Sequence, residues 1–180
     1  MRLGPLALTI AIACGTPAAA GVARDARDVP VVDQLGTTFT LRELHRPTAV
    51  TFVDLDCTDA CTLAEGIFAR LAETLVKERI DARLVTLTLS PETDPPVAMA
   101  SRARQFKADA ARWRWASGKP ADVKALMAAF HVQRTNKSFH STFAYVLDER
   151  GLPVRTIPLS TAADQEIYAG LRAVANRPKG

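Results

Sequence analysis

The spacing of hydrophobic positions near the middle of the chain predicts a buried strand that leads into a helix. Residues Val50 to Val53 are β-branched or aromatic, which is typical of a strand inside a sheet. A helix is expected from about Thr62 to Glu78, and a half-buried strand from Ala82 to Leu89. The apolar positions that define one face of this helix are Leu63, Ile67, Phe68, Leu71 and Leu75.

The residues before this unit predict a small hairpin. Two short strands are expected between Val31 and Leu41, around a turn at 34–37. Thr40 and Glu43 can form a capping box that opens a short helix, which Pro47 ends. The segment from Ala23 to Pro30 is mostly polar and is expected to be a loose tether.

The residues after the central unit predict three more helices and a second hairpin. Gly118 closes a short segment that holds Trp113 and Trp115, to which the pattern assigns no element. Asp148-Glu149-Arg150-Gly151 is a strong hairpin turn between two strands. The expected elements are helices at about Val97–Ala110, Pro120–Phe130 and Ala162–Ala175, and strands at Ser141–Leu147 and Leu152–Ile157.

This order of elements predicts an α/β protein with the thioredoxin-like fold. A strand–helix–strand unit is followed by a hairpin and a closing helix, so we expect a central mixed sheet flanked by helices. The N-terminal β-hairpin is an addition to that arrangement. The chain of 180 residues is 48% hydrophobic, which suffices for one core. We therefore predict one domain at 24–180, preceded by a targeting segment at 1–23.

The first residues have the features of an export signal. Arg2 precedes an apolar run from Leu6 to Ala13, and Ala18-Ala19-Ala20 follows it as a small-residue cleavage site. A lipoprotein signal ending at Cys14 and an uncleaved membrane anchor are the alternatives, and cleavage is favoured. All three place the domain outside the cytoplasmic membrane, most simply in a bacterial periplasm.

Cleavage of the leader would leave Cys57 and Cys61 as the cysteines of the mature chain. A structural disulfide is one interpretation for an oxidising compartment. A bridge across so short a loop would stabilise the fold by only about 2 kcal/mol. Reactive or metal-binding thiols are therefore the favoured interpretation, with Cys57 and Cys61 as a redox pair or as ligands.

The position of the cysteines suggests how they would react. Both lie where the central strand enters its helix, and unpaired N–H groups at a helix start favour thiolate over thiol. Cysteines at i and i+4 would also lie on the same helix face.

His140 is the histidine best placed to join the two thiols, because in a thioredoxin-like sheet the loop before the second hairpin faces the active-site helix. Two thiolates and an imidazole suit copper, as Cu(I) or Cu(II), whereas zinc normally takes a fourth ligand. A plain loop-edge histidine remains the alternative for His140. His45 and His131 are expected to be solvated residues at helix ends.

The charged residues further narrow the functions that the sequence allows. Asp54, Asp56 and Asp59 surround the cysteines and could offset the charge of a metal, or could serve only as solvated residues and helix caps. The net charge of +4 is spread along the chain without a block of Lys and Arg among aromatics. Binding to nucleic acid is therefore excluded as the expected function.

Three segments together resemble the Sco/SenC family of thioredoxin-like copper-binding assembly factors. Cys57-Thr58-Asp59-Ala60-Cys61 is similar to the family's C-x-x-x-C, and Trp113-Arg114-Trp115-Ala116-Ser117-Gly118 to its W-R-x-L-T-G. The third segment is Phe139-His140-Ser141-Thr142 with Tyr145-Val146-Leu147-Asp148 and Gly151, which resembles H-S…Y-L-L-D…G. The resemblance runs from about Val31 to Ala175.

The resemblance implies that Cys57, Cys61 and His140 bind copper. It also implies delivery of copper to the binuclear copper site of cytochrome c oxidase, or reduction of the cysteines there. Another periplasmic copper protein is an alternative partner. The chain departs from the family pattern in four places, where Thr58 and Thr62 replace prolines, Ser90 replaces an aspartate and Asp54 replaces an apolar or glycine residue.

The sequence therefore predicts a metallochaperone rather than a turnover enzyme. A metal-independent thiol-disulfide oxidoreductase using Cys57 and Cys61 is the first alternative. A peroxide-reducing thiol enzyme is disfavoured, because no Thr-x-x-Cys motif leads into Cys57. His140 separates the first two hypotheses, since only copper binding requires it.

Overall fold

The computed structural model describes residues 25–57, 60–132 and 142–177, and within these ranges seven strands form one sheet. The strands are β1 (Val31–Asp33), β2 (Thr38–Phe39), β3 (Thr48–Val53), β4 (Arg83–Thr88), β5 (Trp113–Ser117), β6 (Phe143–Leu147) and β7 (Pro153–Pro158). Their spatial order is β2-β1-β5-β4-β3-β6-β7.

The sheet is mixed, as the sequence predicts. Strand β3 pairs in parallel with β4 and antiparallel with β6, and β4 pairs in parallel with β5. The predicted N-terminal hairpin forms between β1 and β2 and joins the sheet through β1 and β5. All six residues of β3 are buried. The thioredoxin-like arrangement around a central β3 is thereby confirmed.

In the part of the chain that the structure describes, four α-helices cover the sheet, and each face has its own hydrophobic core. The helices are α1 (Ala60–Lys77), α2 (Pro96–Gln105), α3 (Pro120–Ala129) and α4 (Ala163–Ala175), with short 3-10 helices at Ala26–Asp28 and Arg42–Leu44. Ala49 and Val53 of β3 pack with α1, α2 and α4, whereas Val50 and Phe52 pack with α3. This alternation follows from the two-residue period of a strand and makes β3 apolar on both faces.

Strand β5 is an element to which the sequence pattern assigns nothing. Its apolar and polar residues alternate over only five positions, too few for a strong strand signal. Trp113 and Trp115 enter the core beside α1, and Trp113 Nε1 donates to Thr86 Oγ1 over 2.9 Å. Arg114 instead places its guanidinium 4.5 Å from the centre of the Phe39 ring.

Two helix boundaries differ from the prediction. Helix α1 begins at Ala60, two residues earlier than expected, so Cys61 belongs to its first turn. Helix α2 ends at Gln105 rather than near Ala110, because Phe106 caps it and Lys107 turns into the left-handed region at φ +50°.

The predicted loose tether is wrong for its described part. Residues Ala26–Asp28 form a 3-10 helix, Val29 is buried, and the Arg42 guanidinium binds the carboxylates of Asp25 and Asp28.

The predicted capping box is half formed. Thr40 N–H donates to Glu43 Oε2 over 2.8 Å, but Leu41 holds the N-cap position of the 3-10 helix at Arg42–Leu44. The helix ends at Leu44, before the predicted stop at Pro47.

The predicted targeting segment at 1–23 lies outside the described residues. Among the described helices, none combines the length and the apolar composition that crossing a bilayer requires. The choice between signal, lipoprotein and anchor therefore stays a prediction.

Two glycines with positive φ give a matched test of how the second hairpin packs. Gly151 (φ +76°) turns between β6 and β7, and a Cβ there would lie 3.2 Å from the Leu41 carbonyl oxygen. Gly36 (φ +79°) turns between β1 and β2, and a Cβ there would meet nothing within 4 Å. Gly36→Ala should lower the free energy of unfolding by about 1–2 kcal/mol through backbone strain alone.

Gly151→Ala should lower the free energy of unfolding by at least about 1 kcal/mol more, because the methyl group also collides with backbone. Urea unfolding of both variants measures the difference. Equal losses would mean that the hairpin turn does not pack against Leu41.

Candidate metal centre

The junction between β3 and α1 positions both cysteines. Strand β3 ends at Val53, and the next residues turn sharply, with Cys57 N–H donating to the Asp54 carbonyl over 3.1 Å. Asp56 N–H donates to Asp54 Oδ1 over 3.0 Å and tightens the same turn. A strand buried on both faces offers no room for polar chemistry, so the reactive groups lie beyond its end.

The two thiols lie together in different surroundings. Cys57 is partly exposed, whereas Cys61 has only 1% of its surface accessible. The side chains of Cys57 and Cys61 hydrogen-bond to each other. Asp54 N–H donates to Cys61 Sγ over 3.3 Å. The predicted pairing of these cysteines in space is therefore found, although Cys57 precedes α1 and is not part of its face.

The expectation that the helix start favours thiolate is wrong for Cys61. Burial raises the pKa of the Cys61 thiol to about 12, and the Cys57 thiol and the Asp54 charge add to this rise. The hydrogen bond from the Asp54 N–H lowers the pKa of Cys61, but by less than burial raises it. Loss of water around the sulfur thus outweighs the hydrogen bond that the Asp54 N–H donates to it. Cys61 keeps its proton in the reduced protein at neutral pH and must release it when it binds a metal or forms a disulfide.

A buried carboxylate ties the cysteine turn to the end of β4. Asp94 is only 2% exposed, and its Oδ2 accepts from Leu55 N–H over 3.1 Å and from Thr88 Oγ1 over 3.0 Å. Burial raises the pKa of Asp94, with the charges of Asp54 and Asp56 adding to the shift. The sequence pattern places this carboxylate only in a loop after β4, without a role.

Asp54 and Ser90, two positions at which the sequence differs from the pattern of the family it resembles, are in direct contact. Ser90 Oγ donates to Asp54 Oδ2 over 2.7 Å, and Leu89 N–H donates to the Val53 carbonyl over 2.7 Å. The Ser90 hydroxyl therefore holds the Asp54 carboxylate, so two residues that differ from the family pattern contact each other. This contact lies at the edge of the sheet where the cysteine turn begins.

An ion pair below the thiols is a further feature that the sequence analysis does not identify. Glu65 is 1% exposed, and both its oxygens accept from Arg102, with Nε at 2.8 Å and Nη2 at 2.6 Å. The hydrogen bonds that Arg102 donates to Glu65 raise the pKa of Arg102, and the guanidinium lies 5.5 Å from the centre of the Phe106 ring. The pair joins α1 to α2, four residues after Cys61. A carboxylate at that spacing on an otherwise apolar helix face is the signal that could have revealed it.

The predicted roles of the other histidines hold as far as the structure describes them. His45 is the C-cap of the 3-10 helix at Arg42–Leu44, in the left-handed region at φ +48°. His131 follows Phe130, the C-cap of α3, at φ +53° and is exposed to solvent. Both belong to helix ends rather than to the thiol pair.

His140 lies outside the described residues, as do Thr58 and the predicted cap Asp59. Strand β6 runs antiparallel to β3, with Ala144 opposite Thr51. Thr142, the first described residue after 133–141, therefore lies at the edge where β3 ends. Within the described ranges, no three His, Cys, Asp or Glu side chains are grouped to hold a metal ion.

Comparison with known proteins connects this geometry to one family. The model of the SCO1/SenC family matches residues 23–176. No curated protein is significantly similar to the chain in sequence.

Solved structures of Sco proteins have the same fold. Bradyrhizobium japonicum ScoI with copper bound is 21% identical with a TM-score of 0.68, covering 81% of this chain and 96% of that one. Yeast Sco1 with copper bound is 18% identical with a TM-score of 0.68, covering 84% and 89%. BsSco, described as a cytochrome c oxidase assembly protein with a disulfide switch, is 16% identical with a TM-score of 0.70, covering 81% and 90%.

The different surroundings of the two thiols predict a fixed order of alkylation. In reduced protein at about pH 8, iodoacetamide should modify Cys57 at least about tenfold faster than Cys61, because reaction needs thiolate and access. Mass spectrometry of the two cysteine peptides measures both rates. In denaturant the rates should converge, and a native Cys61 that reacts as fast as Cys57 would contradict the burial described above.

Proposed function

We propose that this chain, which belongs to the SCO1/SenC family, is a copper metallochaperone that carries its metal on Cys57, Cys61 and His140. The observation that carries the proposal is the thiol pair at the end of β3, one sulfur partly exposed and the other buried. The exposed sulfur gives a partner access to the metal. The buried sulfur holds the metal away from bulk water.

The chemistry of the donors fits copper. Thiolates select Cu(I), and an imidazole extends the range of the site to Cu(II). In the sequence His140 is two residues before Thr142, which lies at the edge of the sheet where β3 ends, and this closeness supports its inclusion in the proposed ligand set. Copper is cargo here, and loading displaces the proton of the Cys61 thiol.

The proposed recipient is the copper-site subunit of cytochrome c oxidase. Membership of the family supports this recipient, and BsSco, which has the same fold, is described as an assembly protein of that oxidase. The chain would deliver copper to the binuclear site or keep the cysteines of that site reduced. Another periplasmic copper protein would suit the same ligand chemistry.

A metal-independent thiol-disulfide oxidoreductase is the second candidate, and the contact between the two thiols favours it. The Cys57 thiolate would attack one sulfur of a substrate disulfide and release the other sulfur as a thiolate. Cys61, having lost its proton, would then attack Cys57 in the mixed disulfide and release the second substrate thiolate. The substrate gains two electrons, and Cys57 and Cys61 become a disulfide.

Three variants separate the two functions. Reduced protein should bind one copper per chain after desalting, and Cys57→Ser and Cys61→Ser should each lose that copper together with disulfide reduction. His140→Ala should mainly weaken Cu(II) binding, because Cu(II) prefers nitrogen donors while two thiolates can still hold Cu(I). Metal analysis, Cu(II) competition titration and the reduction rate of a small disulfide are measured on each variant.

Two results would decide against the copper chaperone or against its ligand set. Unchanged Cu(II) affinity in His140→Ala would remove that residue from the ligand set and leave the reductase as the better proposal. Full copper retention by both cysteine variants would overturn the proposed site. Thermal unfolding of each metal-free variant serves as the control for folding. Because the sequence predicts a loop at His140, His140→Ala should shift stability by only about 0.5 kcal/mol.

We further propose that the domain works in the periplasm or on the outer side of the cytoplasmic membrane, after cleavage of the leader. Attachment through an uncleaved or lipid-modified N-terminus is the variant of this proposal. Fractionation with N-terminal sequencing should find a chain that begins after Ala20 outside the cytoplasm. Cytoplasmic protein that still carries Met1 and Arg2 would contradict it.

A further inference from the structure

We propose that Asp54, held in place by Ser90, is a positioning residue that shifts the relative copper affinities of the thiol site towards Cu(II). The inference rests on the proposed copper function and adds a determinant of the preferred oxidation state. It concerns the two departures from the family pattern that the structure brings into contact.

Four hydrogen bonds fix Asp54 against the site. Its N–H donates to Cys61 Sγ over 3.3 Å, and its carbonyl accepts from Cys57 N–H over 3.1 Å. Its two carboxylate oxygens accept separately, Oδ1 from Asp56 N–H over 3.0 Å and Oδ2 from Ser90 Oγ over 2.7 Å. The backbone of Asp54 therefore touches both cysteine residues while its side chain is held at both oxygens.

The charge of Asp54 is not cancelled by a nearby cation among the described residues. The ion pairs found within the described ranges do not include Asp54. Arg102, which interacts electrostatically with Cys61, is bound to the buried Glu65 carboxylate. The Asp54 carboxylate is only partly exposed, so water screens it incompletely.

A fixed negative charge that acts on the Cys61 sulfur also distinguishes the two oxidation states of copper bound there. Its attraction for a doubly charged ion is about twice its attraction for a singly charged ion at the same place. Removal of the charge should therefore weaken Cu(II) binding more than Cu(I) binding. At the effective dielectric of a partly buried site, we expect a change of about tenfold in the ratio of the two affinities.

Three variants test this inference on full-length reduced protein loaded with copper alone. Asp54→Asn removes the charge but keeps the backbone contacts with both cysteines. Ser90→Ala keeps the charge and releases one carboxylate oxygen. Asp56→Asn removes an equal charge from an exposed side chain in the same turn and is the matched control.

The potential of the bound copper couple reports the ratio of the affinities. Asp54→Asn should raise it by about 59 mV, the equivalent of tenfold for one electron. Ser90→Ala should raise it by a smaller amount, and Asp56→Asn should change the ratio by less than about threefold, because solvent screens that charge. Equal shifts in Asp54→Asn and Asp56→Asn, or no shift in Asp54→Asn, would overturn the inference.

A measurement without metal separates this inference from the proposed function. In a Cys57→Ser background, iodoacetamide should alkylate Cys61 faster when Asp54→Asn is added, because less negative potential favours the thiolate. Copper binding by the parent with no effect of Asp54→Asn on either readout would refute the inference alone. If the parent protein binds no copper but Asp54→Asn still speeds the alkylation of Cys61, the copper function is refuted. The role of Asp54 in selecting an oxidation state is then refuted as well.

Discussion

The burial of β3 on both faces is the constraint on which the site depends. Because Ala49 and Val53 pack against one helix layer and Val50 and Phe52 against the other, the strand has no solvent-facing side for polar chemistry. The first polar residue after it, Asp54, must turn at the edge of the sheet, and its N–H meets Cys61 Sγ. Parallel pairing with β4 brings Ser90 and Asp94 to that same edge.

Two thiols in unequal surroundings are the chemical consequence of this packing. Cys57 lies in the turn, where a partner can reach it, while Cys61 belongs to the first turn of α1 and faces the core. Burial keeps the Cys61 thiol protonated until a metal or a disulfide replaces its proton. The Glu65–Arg102 pair joins α1 to α2 four residues after Cys61, and Arg102 donates to the Glu65 carboxylate from both Nε and Nη2.

Much of this fold could be predicted from the sequence because its strongest signals are long and periodic. The apolar face of α1 and the β-branched run of β3 determine the strand–turn–helix unit that holds the cysteines. Strand β5 could not be predicted, since five residues flanked by loops carry too little periodicity. The protonation state of Cys61 could not be predicted from the sequence either, because it depends on how deeply packing buries the sulfur and on the contact that brings the Asp54 N–H to it.

Copper K-edge X-ray absorption of the loaded protein can identify the donors in the proposed site, in which one copper is held by the Cys57 and Cys61 sulfurs and the His140 imidazole. We expect sulfur neighbours from two cysteines and the multiple-scattering signature of one imidazole, and we expect loss of that signature in His140→Ala. A first shell of nitrogen and oxygen alone, with no sulfur, would contradict this ligand set.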